Sequence, residues 1–383
     1  MTQPAVIVIG SGPAGVSAAE AYREHQAEPP VRIITDDPAL PYARPPLSKE
    51  FLRGETDDVA LHPGEWYAER HIDTVNARVQ TIDTGGRFVM VDGERHPYRA
   101  LIIACGSAPT PLPVPGGDRA HQLRSLAHAH SLRTDGERAE SAVVIGAGFI
   151  GCEAAASLAM RGVSVTLVAP DDAPQAKRLG PEAGERLREL VSASGARYVG
   201  GASVEAVREG AVQLNNGVTI DCDLVLAATG VHPQTDIAQA AGLDVEESRI
   251  VVGADMRTSA PDVFAAGDAA LAFNPTAGRR IAIEHWQDAV DQGTVAGAVA
   301  AGNNQQWDGV PGFWTTIGDA TVKYHAWGDG YDHTRLIDHG EGFTAWYERD
   351  GTTVGVLTYN ADDDYDLGES LIKDARPLPV TMR

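Results

Sequence analysis

Two glycine loops of identical spacing constrain this chain more than any other feature. The segments GSGPAG at 10–15 and GAGFIG at 146–151 both fit G-x-G-x-x-G, and each follows a short apolar run. In this pattern the first glycine allows a tight turn, the second lets backbone approach a pyrophosphate, and the third lets a helix pack on its strand. Because both loops occur in this context, two nucleotide sites are predicted. The pattern glycines are Gly10, Gly12, Gly15, Gly146, Gly148 and Gly151.

Each loop belongs to a predicted strand, helix, strand unit. The apolar runs are short and rich in β-branched residues, as expected for strands buried in a parallel sheet. The same order recurs about 136 residues further along the chain, which predicts two βαβ units. The predicted elements are strand 5–9, helix 14–22 and strand 31–35 in the first unit, and strand 142–145, helix 150–160 and strand 163–168 in the second.

Charged residues beyond the second strand of each unit are candidates for contacts with a ribose. Asp36 lies 21 residues after the last glycine of the first loop, where a carboxylate can accept a hydrogen bond from a ribose hydroxyl. The second unit has no acid at the strand tip. Asp171 or Asp172 could bind a free 2′-hydroxyl, and Lys177 or Arg178 could bind a 2′-phosphate. The sequence therefore leaves the choice between NADH and NADPH open.

Composition excludes several classes of protein. The 383 residues suggest two or three domains, and 43% hydrophobic residues exclude a largely disordered chain. A formal charge of −22 argues against nucleic-acid and anionic-membrane partners, which require clustered cations. The start MTQP lacks the cationic residues of a signal peptide, and no apolar run approaches the ~18 residues of a membrane span. We therefore expect a soluble, cytoplasmic protein. The three cysteines show no metal-binding spacing, so no metal site is predicted.

Two composition changes along the chain indicate domain boundaries. Four prolines and two glycines at 109–117 cannot continue a helix or a central strand. Beyond residue 300, alternating segments with Gly/Asp turns predict antiparallel strands and a closing helix, which is typical of an α+β domain. The predicted strands are 323–327, 335–337, 343–348 and 353–359, and the predicted helix is 364–374.

Three further segments resemble those of a known family. The segment TSAPDVFAAGD, which ends at Asp268, resembles the strand and Gly-Asp turn that contact FAD in the pyridine nucleotide-disulfide reductase superfamily. AATG, ending at Gly230, resembles the segment that returns the chain to the FAD domain, and ACG at 104–106 occupies the equivalent first exit. The resemblance implies an α/β fold with two Rossmann-like domains, for FAD and NAD(P), and a C-terminal α+β domain. Its implied boundaries are 1–110 with 231–307 for FAD, 111–230 for NAD(P)H, and 308–383.

The segment PYARPPLSKE at 41–50 places the chain within that superfamily. It is similar to the corresponding segment of ferredoxin, putidaredoxin and rubredoxin reductases and of apoptosis-inducing factor. Disulfide reductases carry paired cysteines here, and peroxidases of the fold carry a single redox cysteine. In this chain the first cysteine is Cys105. The resemblance therefore implies electron transfer without a redox-active cysteine.

The same resemblance implies roles for individual residues. Lys49 would lie near flavin N5 and pair with Glu153, because a cation stabilises the negative charge of reduced flavin. The segment Glu284, His285 and Trp286 would open a helix, 287–300, whose positive end faces the pyrimidine of FAD. Trp314 would cover the flavin or nicotinamide pocket. The residues implied to line FAD are Ala14, Asp36, Arg44, Lys49, Val79, Arg124, Asp268 and Trp286; Gly267 and Gly230 belong to the matching turns, and Ile150, Asp171 and Lys177 are candidates for the pyridine nucleotide.

The sequence thus predicts an FAD-dependent NAD(P)H oxidoreductase, monomeric or homodimeric, that passes electrons to a ferredoxin or similar one-electron carrier. Two alternatives stay open: a diaphorase or quinone reductase with a small acceptor, and a redox-sensing interaction protein like apoptosis-inducing factor. The acidity argues against a ferredoxin, because ferredoxins are themselves acidic and like charge slows encounter. Residues 308–370 alone hold 13 acidic against three basic side chains, a net charge of −10.

Overall fold

The computed structural model describes residues 4–379; residues 1–3 and 380–383 lie outside the described part, and with them most of the MTQP start. The α-helices are α1 (Pro13–His25), α2 (Glu50–Arg53), α3 (Gly64–Glu69), α4 (Leu126–Gly136), α5 (Phe149–Met160), α6 (Ala176–Leu179), α7 (Pro181–Ala193), α8 (Asp236–Ala240), α9 (Trp286–Ala300) and α10 (Asp362–Lys373). The strands are β1 (Ala5–Ile9), β2 (Val31–Thr35), β3 (Ile72–Asn76), β4 (Val79–Asp83), β5 (Phe88–Val91), β6 (Glu94–Ile103), β7 (Ser107–Pro109), β8 (Ser141–Ile145), β9 (Ser164–Val168), β10 (Arg197–Val199), β11 (Val204–Arg208), β12 (Ala211–Leu214), β13 (Thr219–Asp221), β14 (Leu224–Ala227), β15 (Val231–Pro233), β16 (Val245–Glu246), β17 (Arg249–Val252), β18 (Val263–Ala265), β19 (Ala270–Asn274), β20 (Arg279–Ala282), β21 (Gly312–Ile317), β22 (Ala320–Ala326), β23 (His333–Asp338), β24 (Phe343–Arg349) and β25 (Thr352–Tyr359).

The chain divides into two compact units. The first comprises the N-terminal stretch up to Ala43 together with Ala60–Ala108 and His232–Gly312. Its main sheet has the order β3-β2-β1-β6, with β18 on the far side of β6, and these strands run parallel. The amino-terminal half of β6 instead pairs antiparallel with β5, which continues to β4. One long strand therefore joins a Rossmann-like sheet to an antiparallel meander.

Helices α1 and α9 of the first unit pack with their backbones in contact. A β-carbon at Gly293 would lie 2.2 Å from the Ala14 carbonyl oxygen, and one at Gly297 would lie 2.1 Å from that of Ala18. Real β-carbons never approach an oxygen so closely, so only glycine fits at either position. The four-residue spacing puts both glycines on one face of α9. This face fixes the helix that follows the first glycine loop.

The second unit comprises Arg44–Val59, Pro109–Val231 and the stretch from Phe313 onwards. Its parallel sheet has the order β10-β9-β8-β14, and a three-stranded antiparallel sheet, β11-β12-β13, follows in the chain. The carboxy-terminal part forms an antiparallel sheet of order β21-β22-β25-β24-β23. Helix α10 covers this sheet closely, since a β-carbon at Gly368 would meet Val356 at 2.3 Å.

The predicted fold class is confirmed: two parallel sheets follow βαβ order and an antiparallel sheet with a helix closes the chain. Strands β1 and β2 have the predicted bounds, whereas α9 begins at Trp286, one residue earlier than predicted. The amphipathic helix α7 and the strand β21 were not predicted. The division into three domains at the stated boundaries stays a prediction. Among residues 4–379, no helix combines the length and the apolarity that crossing a membrane requires.

Candidate active site

The first glycine loop forms a closed turn at the carboxyl end of β1. Gly10 has φ +106°, and a β-carbon there would lie 2.2 Å from the carbonyl oxygen of Ala104. A β-carbon at Gly15 would lie 2.1 Å from the carbonyl oxygen of Gly10, and Gly12 directly precedes α1. No side chain fits at the first or third glycine. The turn therefore leaves backbone N–H groups at the start of α1 available to an anion, as the pattern requires.

Other predicted residues of the first unit follow parallel strands of the same sheet. Asp36 comes directly after β2 and is exposed, and Gly267 and Asp268 follow β18. Because the carboxyl ends of parallel strands meet at one edge, these residues share the edge with the glycine loop. Ala14 packs against the Gly267 turn, since a β-carbon at Gly267 would lie 3.1 Å from the Ala14 methyl group. Val79, at the start of β4, is buried.

Gln292 of α9 was not predicted and holds the Gly267 turn. Its side chain is 0% exposed, and its Oε1 accepts a hydrogen bond of 3.0 Å from the Gly267 N–H. Its buried Nε2 has no hydrogen-bond partner among residues 4–379. An unsatisfied buried donor is costly, so an oxygen-rich group at this turn would stabilise it. This orphaned donor, together with the glycine turn, fits the sugar and phosphate part of a dinucleotide.

The predicted segment Glu284 to Trp286 opens α9, but its three members differ. Trp286 is the first helical residue, and His285 Nδ1 lies 3.1 Å from Oδ2 of the buried Asp288. The same carboxylate oxygen accepts from the Gly312 N–H at 3.3 Å. Glu284 is exposed and pairs with Arg249 at 2.6 Å. Asp288 therefore fixes the start of the helix, which the sequence reasoning did not identify.

The second glycine loop forms the same closed turn, but its middle glycine, Gly148, has space around it. Gly146 has φ +103°, and a β-carbon there would lie 2.4 Å from the Ala228 carbonyl oxygen. A β-carbon at Gly151 would lie 2.0 Å from the Gly146 carbonyl oxygen. Gly148 has as its nearest neighbour the Gln175 amide nitrogen, at 3.8 Å from a β-carbon. Ile150, in the first turn of α5, is exposed. Gly230 follows β14 at the same sheet edge.

In the second unit, an acidic and a basic candidate for the ribose contact, Asp171 and Lys177, bind each other. Lys177 Nζ lies 2.7 Å from Asp171 Oδ1, and the lysine side chain is largely exposed. Arg178 lies over the rings of Phe313 and Tyr324, at 5.7 and 5.6 Å from their centroids. One cation is therefore neutralised and the other is engaged in cation–π contacts.

Lys49 and Glu153 form the buried ion pair that the resemblance implied. Nζ lies 3.1 Å from Oε2, and the two residues are 6% and 5% exposed. Oε2 also accepts from Ser48 Oγ at 2.5 Å. Oε1 accepts from Thr315 Oγ1 at 2.8 Å and from the Thr316 N–H at 3.3 Å. Four donors thus surround a carboxylate whose charge is balanced by one ammonium, which offsets much of its desolvation.

Helix α5 holds the segment that carries Lys49 through one polar face. Glu153, Ser157 and Arg161 are spaced four residues apart and therefore lie on one side of the helix. Ser157 Oγ donates to the Ser48 carbonyl at 2.7 Å, and Arg161 donates to the Leu52 carbonyl at 2.6 Å. The polar spacing in an otherwise alanine-rich helix was a readable signal that the sequence reasoning did not use.

The remaining predicted residues lie in the second unit. Arg44 and Arg124 are half-buried. Trp314, on β21, is 46% exposed, beside Phe313, which packs on Phe149 with ring centroids 4.6 Å apart. The role of Trp314 in covering the flavin or nicotinamide pocket stays a prediction.

Cys105 and Cys152 do not offer thiolate chemistry at neutral pH. Desolvation raises the pKa of Cys105 to about 12 and raises that of the buried Cys152 as well, and nearby carboxylates add to both shifts. The thiolate is the reactive form, so both side chains are inert thiols in this pH range. Within the described residues, no group of three or more His, Cys, Asp and Glu side chains is arranged to hold a metal ion.

Comparison with known proteins gives one family and relatives that cover most of this chain. A model of the pyridine nucleotide-disulphide oxidoreductase family matches residues 4–293. Rhodocoxin reductase of Rhodococcus erythropolis is 33% identical over 387 residues, covering 97% of this chain and 90% of that protein. The ferredoxin–NAD(+) reductase component of the anthranilate 1,2-dioxygenase system of Burkholderia cepacia is 32% identical over 333 residues, covering 84% and 82%. The solved complex of putidaredoxin reductase with putidaredoxin matches with a TM-score of 0.94 at 27% identity, covering 100% of this chain and 95% of that one.

Proposed function

Because the chain belongs to the pyridine nucleotide-disulphide oxidoreductase family, we propose that it takes a hydride from NADH onto FAD and passes single electrons to a ferredoxin-type iron–sulfur protein of an oxygenase system. The observation that carries the proposal is the buried pair of Lys49 and Glu153. The segment that would hold redox cysteines in a disulfide reductase here presents an ammonium. Electrons must therefore leave by another route than a dithiol.

Family membership confirms several predictions from the sequence. The chain is an oxidoreductase, and its cofactors are FAD and a pyridine nucleotide. The acceptor is supported by the relatives, which are named as reductases of rhodocoxin, of the ferredoxin of a dioxygenase system and of putidaredoxin. These names describe the relatives, and their shared acceptor class is what we propose for this chain.

The chain's own residues would prepare the site in distinct ways. When bound, FAD accepts two electrons as a hydride and can release them one at a time. We assign Gly10, Gly12, Gly15 and the Gly267 turn to its phosphates and sugar. Lys49 supplies a desolvated positive charge, which favours the reduced and more negative form of the cofactor. Glu153 holds that ammonium in one direction, and the buried surroundings strengthen the interaction.

We propose NADH rather than NADPH as the preferred reductant. A 2′-phosphate needs cations that are free to bind it. Lys177 is paired with Asp171 at 2.7 Å, and Arg178 is held over two aromatic rings. The carboxylate of Asp171 would repel a phosphate, whereas it can accept a hydrogen bond from a free 2′-hydroxyl.

Location and domain division are also proposals. A reductase that draws on NADH works where that reductant is regenerated, so we propose that the protein acts in the cytoplasm. We also propose that the chain has three functional domains. These are an FAD domain, 1–110 with 231–307, an NAD(P)H domain, 111–230, and a C-terminal domain, 308–383.

Anaerobic stopped-flow reduction tests the proposed function. The holoprotein is mixed with NADH and, in parallel, with NADPH, and the reduced protein is then mixed with a panel of ferredoxins. Fast bleaching of the flavin by NADH and faster oxidation by a ferredoxin than by oxygen support the proposal. Rapid oxidation by quinones alone would identify a diaphorase. Slow reduction accompanied by dimerisation would identify a redox-sensing protein instead.

A further inference from the structure

The carboxylate of Glu153, on α5, is held by donors from two other parts of the second unit. Ser48 and Lys49 reach Oε2 from the Arg44–Val59 segment, and Thr315 reaches Oε1 from the strand β21. Thr315 is 1% exposed, so its hydroxyl cannot exchange this bond for one with bulk water. Each oxygen is thus fixed from a different side, which prevents the carboxylate from rotating.

The direction of the Lys49 ammonium depends on this arrangement. Among residues 4–379, Glu153 is the only side chain that accepts a hydrogen bond from Nζ. If the Thr315 hydroxyl were removed, Oε1 would keep only the Thr316 N–H at 3.3 Å, a long hydrogen bond. The carboxylate could then turn, and the ammonium that it holds would turn with it.

We propose that Thr315 is a positioning residue for electron transfer: its hydroxyl fixes the Glu153 carboxylate and thereby the Lys49 charge. This inference rests on the proposed function of that pair. Thr315 does not touch the reacting atoms, and it acts through Glu153. The role links the C-terminal antiparallel sheet to the chemistry, because β21 is the edge strand that carries the hydroxyl.

Three variants of the holoprotein test the inference. Thr315→Val keeps the β-branched shape and removes the donor, whereas Thr315→Ser keeps the donor and removes the methyl group. The matched control is Thr358→Val in β25 of the same sheet, because Thr358 is also 1% exposed and its hydroxyl has no partner in the described part of the chain. The variants are compared by FAD content, thermal unfolding, midpoint potential of the bound flavin and rate of flavin reduction by NADH.

We expect Thr315→Val to retain FAD, to shift the flavin potential to more negative values, and to slow flavin reduction about tenfold. Thr315→Ser and Thr358→Val should match the unmodified protein in potential and rate. Equal potentials and rates for Thr315→Val and Thr358→Val would overturn the inference. So would a Thr315→Ser variant as slow as Thr315→Val, because the methyl group rather than the donor would then matter.

Separate measurements test the positioning role of Thr315 and the proposed function. If the unmodified protein is reduced by NADH and passes electrons to a ferredoxin while Thr315→Val behaves identically, only the positioning role is wrong. If the unmodified protein is not reduced by NADH, the proposed function is wrong. The flavin potentials of the variants still measure whether Thr315 acts on the charged pair.

Discussion

The two glycine loops share one sequence pattern, yet their helices are held by different kinds of contact. Helix α1, after the first loop, meets α9 through backbone, with Gly293 and Gly297 closing the gap. Helix α5, after the second loop, binds the Arg44–Val59 segment through the side chains of Glu153, Ser157 and Arg161. The first contact is made by backbone and involves no charged group. The second includes Glu153, the charged side chain of α5 that the proposed chemistry uses.

This difference suggests that the two loops have different roles. A helix fixed by backbone contact suits a cofactor that stays bound through many turnovers. A helix whose face is polar can hold and orient charged groups beside an exchanging nucleotide. Substitutions around the first loop should therefore cost folding and FAD, whereas substitutions around the second should cost chemistry while FAD stays bound.

The largest effect is expected at Gly293, where a β-carbon would lie 2.2 Å from the Ala14 carbonyl oxygen. Gly293→Ala must separate α1 from α9, and we expect a loss of more than about 4 kcal/mol in the free energy of unfolding. FAD should be lost with it. Thermal unfolding and the flavin absorbance of purified protein measure both. The control is Gly309→Ala, since Gly309 has no atom within 4 Å of a β-carbon; an equal loss there would contradict the packing argument.

A second prediction concerns Asp268, at the carboxyl edge of the first unit's sheet. Asp268→Ala should yield colourless, flavin-poor protein that still folds, because the proposed contact with FAD is lost while the Gly267 turn stays held by Gln292. The ratio of flavin absorbance to protein absorbance checks this. A yellow protein with full FAD occupancy would remove Asp268 from the proposed site.

Around the second loop the expected loss is one of rate. Glu153→Gln keeps the size of the side chain but removes the charge that pairs with Lys49 at 3.1 Å. We expect FAD to be retained and flavin reduction by NADH to be about 100-fold slower, because a preorganised electrostatic contact is lost. Stopped-flow reduction measures the rate, and Glu189→Gln, an exposed glutamate of α7, is the control. Unchanged reduction would remove Glu153 from the chemistry.

The sequence predicted what depends on neighbours in the chain. Glycine spacing, β-branched runs and the position of Asp36 are local, so β1, β2 and both loops were found with nearly their observed bounds. The pair of Lys49 and Glu153 came from family resemblance, because 104 residues separate its members. Thr315 lies 162 residues from Glu153, and nothing in the local sequence distinguishes it from other threonines in strands. Only the packing of three distant segments identifies it.

The smallest effect is expected where the charged groups are exposed. Asp171→Asn removes the carboxylate that pairs with Lys177, which frees a cation for a 2′-phosphate and removes a repelling charge. Exposed charge interactions contribute about 1 kcal/mol, so the preference for NADH over NADPH, as a ratio of kcat/KM values, should fall about fivefold. Asp221→Asn, an exposed aspartate of β13, should leave the ratio unchanged. If Asp171→Asn leaves it unchanged too, the second loop discriminates its nucleotide by another residue, and Asp172 is the one to replace next.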